Sequence, residues 1–322
     1  MFKTFKSNVT LVDIGASGGV HHRWKLLGDK LKIVGFEPDT RAFNLLPKSK
    51  NAIWLNKAVY NDNDAHTLYI TRHQTNVSML KPNLDVIGML CLKSEDFDII
   101  DTISVECERL DDILEREKLR ANVLKIDTQG TELQILQGAE RSLEQDVFAI
   151  EVEVEFVELY DNQPLFTNIH NYLLGKGFDL MDYGNMVYMK GKHAVGIGGE
   201  KCFLVAADAL YFKRLNQINK ILPKGDTNAL ERIIMGCLAY GYSDYALELC
   251  FEIKREGLIP VNQLDIYMAQ LSKIKHYSKY IPNFPGKAML SKGFGLLKSL
   301  LTPVQDAYWI NRLGNHIRLY RW

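Results

Sequence analysis

The chain has 322 residues, more than the roughly 100–200 of one ordinary domain, and 47% of them are apolar, enough for one large core plus an appendage. Lys plus Arg equals Asp plus Glu at 39 each, so no bulk positive field exists to hold a nucleic-acid backbone, and an RNA or DNA substrate is disfavoured. The odd set Cys91, Cys107, Cys202, Cys237 and Cys250 shows no CxxC or Cys/His metal spacing and reads as reduced, mostly buried thiols of a cytosolic protein.

Ahead of the first strand, MFKTFKSNV lacks the apolar core of a cleavable signal, and no apolar run approaches bilayer-spanning length, so a soluble cytoplasmic protein is expected. The strand itself lies in TLVDIGASGGV, Thr10 to Val20, where an apolar run carries Asp13 into a turn of small residues, Gly15 to Gly19. A buried parallel strand that meets a nucleotide-sized ligand has this form, because glycines admit close backbone approach and the following N–H groups favour polar or anionic groups.

His21 to Leu31 has helical spacing of Trp24, Leu27 and Leu31. KIVGFEP then forms a second strand with Glu37 at its tip and Pro38 as its stop, and an acid about 20 residues past the first turn is the ribose-binding position of a nucleotide fold. Asp39 to Leu46 fits a short helix; Ala52 to Val59 and His66 to Thr71 fit a strand and a hairpin-like return. Arg72 to Asp101 is a long polar passage holding Asn76 and Ser78, and loops of that length are more often functional than idle.

Strand character returns at Ile103 to Cys107, then a charged helix through Leu119, then the buried strand NVLKID, closing at Asp127 and Gly130 before a helix over Leu133 to Leu143. Ligands sit outside the carboxyl ends of such strands, so Asp13, Glu37 and Asp127 are expected to converge on one crevice. VFAIEVEVEF puts Glu151, Glu153 and Glu155 on one face, either half solvated or lining a site. A helix from Asn168 to Lys176, the strand FDLMDY, a Gly-rich excursion and the strand ADALYFKRL complete a doubly wound α/β pattern.

DIGASGG, GFEPD, RLDDIL, LKIDTQGTELQILQGA and LYDNQPLF, in this order, resemble the FkbM-like family of S-adenosylmethionine-dependent methyltransferases over roughly Thr10 to Arg214. The resemblance implies a class I methyltransferase (Rossmann-like) sheet of seven strands with the last antiparallel, over residues 1–215, with an α-helical C-terminal extension over 216–322. It further implies that Asp13, Gly15 and Gly19 hold the amino-acid end of S-adenosyl-L-methionine and that Glu37, followed by Pro38, holds the ribose. Ser17 stands where many members carry Asn. NVSMLKPN looks like the family's Ser-Ser loop, with Ser78 retained as a cofactor-site residue and Val77 in place of the first serine.

The family generally methylates a hydroxyl, often of a sugar or polyketide. Because the sulfonium already activates the methyl, the protein must mainly align the acceptor oxygen and take its proton. Asp127 is the leading candidate for that duty, with Glu132 and Glu153 as partners and His21 and His22 ranked below them; no His/Asp spacing demands a metal. A sugar of a surface polysaccharide or glycolipid is the expected acceptor, with a polyketide or other small secondary metabolite as the alternative. A nicotinamide-dependent dehydrogenase is disfavoured because the turn reads GASGG rather than GxGxxG. A cofactor-binding scaffold without turnover remains a third reading.

From Asn216 the pattern is helical. ALERIIMGCLAYG and SDYALELCFEIKREG make an amphipathic pair that must pack on the core or on another chain. The tail from Gly286 to Trp322 sets Lys287, Lys292, Lys298, Arg312, Arg318 and Arg321 against Asp306 alone, interleaved with Phe294, Tyr308, Trp309, Tyr320 and Trp322. That mixture suits peripheral contact with the inner face of a membrane, and equally an intrachain or homodimer interface.

Overall fold

Apolar runs with few charges need cover on both faces, and here they form the centre of a mixed sheet. In a computed structural model, which describes residues 5–195, 202–276, 284–301, 307–310 and 320–321, the strands are β1 (Val9–Ile14), β2 (Leu31–Phe36), β3 (Ala52–Leu55), β4 (Ala58–Tyr60), β5 (Ala65–Thr71), β6 (Ile99–Arg109), β7 (Val123–Ile126), β8 (Ala149–Glu155), β9 (Phe178–Met189) and β10 (Phe203–Lys213). The helices are α1 (Thr40–Phe43), α2 (Leu84–Met89), α3 (Leu110–Arg116), α4 (Glu132–Gln137), α5 (Glu140–Gln145), α6 (Phe166–Gly175), α7 (Thr227–Ala239), α8 (Ser243–Glu256), α9 (Val261–Leu271) and α10 (Lys287–Leu301).

The sheet runs β3-β2-β1-β7-β8-β10-β9, with β10 antiparallel to both of its neighbours, as expected for a class I methyltransferase sheet. An eighth strand, Ala307–Ile310, pairs antiparallel with β9 and sets Ala307 opposite Met189 and Trp309 opposite Val187. Of the basic aromatic tail, Asp306, Arg312, Arg318 and Trp322 lie outside the described residues.

Two layers cover the sheet. On one side α3, α5 and α6 pack on Val12, Ile126, Val152 and Val154. On the other, α7, α8 and α9 share one core with β1, β10 and the segment His22–Lys30, through Leu230, Ile234, Leu249 and Leu264 against Leu11, Trp24 and Phe212. These helices answer the need for cover, since Val9, Val123 and Leu210 on that face are buried under them.

The structure corrects three local expectations and decides between the two alternatives left for a fourth segment. His22–Lys30 is a run of 3-10 turns rather than an α-helix, broken where Gly28 takes φ +53°. β3 joins the main sheet through β2, whereas β4 and β5 flank β6 in a separate three-stranded sheet, so the hairpin is replaced by pairing with a strand some 30 residues on. The helix expected over Leu133–Leu143 divides into α4 and α5 around Gly138, where a Cβ would lie 2.1 Å from the Tyr60 carbonyl oxygen. The carboxylates of β8 are not a solvated face: Glu151 and Glu155 are buried.

Candidate active site

The carboxyl ends of β1, β2, β7 and β8 open into one cavity of about 490 Å³. Its lining includes Gly15, Ser17, Glu37, Pro38, Ser78, Asp127, Gln129 and Glu153.

The turn after β1 is clamped to its neighbours. Gly15 and Ala16 both donate to the Phe36 carbonyl at 3.0 Å, and the Asp127 amide donates to Ile14 at 3.0 Å. Gly15 has φ +80°, and a Cβ there would stand 1.8 Å from the Asp127 carbonyl oxygen, so only glycine lets the ends of β1 and β7 meet. Gly19 closes the turn by donating to Ala16 at 2.9 Å but does not line the cavity. Asp13 does not line it either. It is buried beneath the turn, neither carboxylate oxygen has a hydrogen-bond partner among the described residues, and Lys125 Nζ stands 3.8 Å away. Burial pushes the Asp13 carboxyl up to about 6 against the pull of Lys125.

Glu37 lies at the tip of β2 as expected, accepting the Asp39 amide at 2.9 Å. Burial raises its carboxyl to about 7, so near neutral pH it can either donate to or accept from a ligand hydroxyl. Ser78 is buried, donates to the Gln129 carbonyl at 2.7 Å and accepts the Leu80 amide at 2.9 Å. Its hydroxyl thereby ties the polar passage to the turn after β7, while Gln74, Thr75 and Asn76 of that passage line the cavity.

The residue at the centre of this turn is one that sequence reasoning passed over. Gln129 takes φ +60°, an uncommon conformation for a side chain without special reason. Its amide nitrogen donates to Asp127 Oδ1 at 3.2 Å and to Glu153 Oε2 at 2.5 Å, and its amide oxygen accepts the buried Tyr160 hydroxyl at 3.0 Å. Lys125 Nζ holds the other Asp127 oxygen at 3.1 Å. Burial alone would raise Asp127, but Lys125 and these hydrogen bonds outweigh it and hold the carboxyl below its usual range. Burial and the Asp127 charge push Glu153 well above its own, so the two carboxyls are driven apart, Asp127 toward the ionised form and Glu153 toward holding its proton.

Glu132 is not brought into the cavity. It is fully buried and accepts the amides of Thr128 at 2.8 Å and Gly130 at 3.0 Å, which makes it the internal clasp of the turn. Neither His21 nor His22 reaches the cavity. His21 Nδ1 accepts from Arg23 Nε at 3.0 Å, and burial with the Arg23 charge lowers its imidazole to about 4, leaving it neutral.

Under the cavity floor, strand register aligns Asp13, Lys125 and Glu151 across three neighbouring strands. Glu151 in turn pairs with Arg23 at 2.5 Å and accepts the Tyr240 hydroxyl at 2.9 Å. A lone lysine inside the apolar run NVLKID was a usable signal, because a buried cation requires acids around it. Beyond Asp127 the cavity changes character, and Leu92, Phe97, Leu159, Val187, Met189 and Val205 form an apolar wall.

S-adenosylmethionine fits this donor set. Glu37 offers a carboxyl for a diol, the glycine turn leaves the backbone open for close approach, and the buried Asp13 carboxyl, ion-paired with Lys125 and without a hydrogen-bond partner among the described residues, lies just before that turn.

The family model described as the methyltransferase FkbM domain matches residues 13–180. Among solved structures the chain is similar to methyltransferase FkbM from Methylobacillus flagellatus KT, with 14% identity and a TM-score of 0.34, over 64% of this chain and 43% of that one. It thus spans less than half the length of that structure. It is similar also to precorrin-6y C5,15-methyltransferase from Geobacter metallireducens GS-15, with 10% identity and a TM-score of 0.35 over 65% and 82% of the two chains. A third is magnesium protoporphyrin IX methyltransferase from Synechocystis PCC 6803, solved with S-adenosylmethionine bound, with 8% identity and a TM-score of 0.32 over 65% and 71%. No curated protein matches the chain.

Proposed function

The chain belongs to the FkbM methyltransferase family, and from that premise we propose that it methylates a sugar hydroxyl in a surface polysaccharide, a glycolipid or a lipid-linked precursor of either. S-adenosylmethionine is the cofactor, and when bound it supplies a methyl group already activated for transfer to oxygen. The observation that carries the proposal is the carboxyl pair Asp127 and Glu153, bridged by Gln129 and facing the same cavity as Gly15 and Glu37.

Carboxyls orient polyols because they accept hydrogen bonds from hydroxyls. Asp127, kept ionised by Lys125, accepts the acceptor's hydroxyl proton as the oxygen takes the methyl. Glu153, protonated, donates and fixes the acceptor's register, while Gln129 holds both carboxyls in place. Glu37 and the Gly15 turn hold the cofactor end, and Asp13 biases that end toward positive charge.

The apolar wall of Leu92, Phe97, Val187 and Met189 favours a second reading, in which the hydroxyl belongs to a polyketide or other small secondary metabolite. Mass spectrometry of surface glycans and small metabolites separates the two, comparing a deletion strain with the strain restored by wild type or by Asp127→Asn. Loss of one methyl-sugar, regained only with wild type, supports the sugar; unchanged glycans with a demethylated metabolite support the second reading. Full restoration by Asp127→Asn removes that residue from the chemistry.

A further inference from the structure

We propose that α10 is a docking surface for an anionic membrane. Met289, Leu290, Phe294 and Leu297 recur at intervals that place them on one face of this helix, and they are 75%, 52%, 70% and 51% exposed. Scattered exposed apolar residues need no explanation, but four bulky ones on one face of a 15-residue helix form a patch that water penalises.

Charge chooses the occupant. From residue 266 to residue 305 the chain carries Lys273, Lys275, Lys279, Lys287, Lys292 and Lys298 and no Asp or Glu, within a protein that is neutral overall. Bulky apolar residues on one face of a helix, in a stretch of sequence that carries lysines and no acid, are the form of a helix lying in the headgroup boundary, where the apolar side enters the acyl region and the basic stretch is drawn to anionic lipid. A two-fold contact between copies would set the same lysines against themselves, which opposes self-association through this face. Among the described residues no helix is long and apolar enough to cross a membrane, so the contact is peripheral.

The position is purposeful as well. Leu301 ends the helix and Ala307 pairs with Met189, a residue of the cavity's apolar wall. Six residues span at most about 20 Å, so the docked helix holds the acceptor end of the cavity close to the lipid surface.

The test uses the full-length chain in flotation with vesicles of phosphatidylcholine containing phosphatidylglycerol, and with phosphatidylcholine alone. Wild type is expected to float with the anionic vesicles at low salt, to leave them as salt rises, and to stay behind with the neutral ones. Phe294→Asp and, separately, Lys292→Glu should each lower partition by about tenfold or more, with unchanged circular dichroism and cofactor affinity. Both alter exposed side chains outside the cavity, so folding is preserved in at least one. Failure of wild type to float at low salt, or flotation of both variants to the same extent as wild type, overturns the proposal. So does a wild-type dimer that Phe294→Asp converts to monomer without any change in flotation, since the face then belongs to a second copy.

Discussion

Tyr240, just past the end of α7, donates its hydroxyl at 2.9 Å to Glu151 in the middle of β8, on the same carboxylate oxygen that Arg23 holds at 2.5 Å. The helical layer added after the matched family segment therefore completes a buried charge cluster one row beneath the cavity floor. Removing Arg23 takes the ion partner from a buried carboxyl and leaves Glu151 with the Tyr240 hydroxyl, so Arg23→Met should lower unfolding free energy by about 3–5 kcal/mol. Tyr240→Phe, which deletes only the hydroxyl, should cost about 1–3 kcal/mol. Urea titration followed by circular dichroism checks both, and equal costs would contradict the ranking.

Gln129 is expected to act on rate rather than on cofactor binding. Gln129→Leu removes the donor shared by Asp127 and Glu153 and should reduce kcat by about 10- to 100-fold, the equivalent of about 1.5–3 kcal/mol. Its pH–rate profile should move to higher pH as the carboxyl pair loses its stabilising hydrogen bonds. A loss confined to KM for the cofactor would place Gln129 outside the reacting end.

The raised carboxyls make stability and cofactor affinity respond oppositely to pH. Burial raises Glu37 and Asp208, which lies on β10 in register with Glu153, to about 7 and Asp13 to about 6, so the folded state binds protons that the unfolded state has released. Their stabilising contribution is complete below the ordinary carboxylate range and is lost as pH climbs through 6 to 7. Thermal melts of the ligand-free protein should therefore be lower at pH 7.5 than at pH 5.5 by at least about 2 °C. Within this window His21, its imidazole lowered to about 4, acts in the opposite direction, one group against three, and keeping below pH 8 avoids the like effect of Lys213, whose amine burial depresses to about 8. A ribose hydroxyl and a cationic ligand call for ionised Glu37 and Asp13, so S-adenosylmethionine should bind more tightly over the same rise, with proton release visible as a buffer-dependent heat. Glu37→Gln should flatten that dependence.

Gly15→Ala is expected to be severe. The added methyl meets the Asp127 carbonyl while the backbone stays in the left-handed region, where strain costs about 1–3 kcal/mol before the clash is counted. Calorimetry should show loss of S-adenosylmethionine binding. Gly18→Ala, with nothing within 4 Å of its added carbon, should keep most of it, and equal loss in both would mean that turn flexibility rather than close approach is at stake.

Much of the architecture was legible because it is local: a buried parallel strand announces itself by an apolar run, and an acid or glycine at its end marks the turn. Glu37 and Asp127 thus fell at the cavity, and Gly15 at the approach of β1 to β7. What was not legible depends on partners distant in the chain. Glu132 looked like a second carboxylate for chemistry, yet the amides of Thr128 and Gly130 consume it. Gln129 is one polar residue among several in TQGT until folding sets it between Asp127, Glu153 and Tyr160. β4 and β5 read as neighbours because a polar turn separates them, but β6 supplies the better ladder to both.

The strand Ala307–Ile310 takes up hydrogen-bonding groups that β9 would otherwise hold out to solvent along its outer edge, beside Val187 and Met189. An uncovered edge is a template for the same segment of another molecule. Chains cut near residue 302 should consequently polymerise through β9, while a synthetic peptide of residues 305–312 added in trans should cap the edge by donor-strand complementation and reverse that polymerisation.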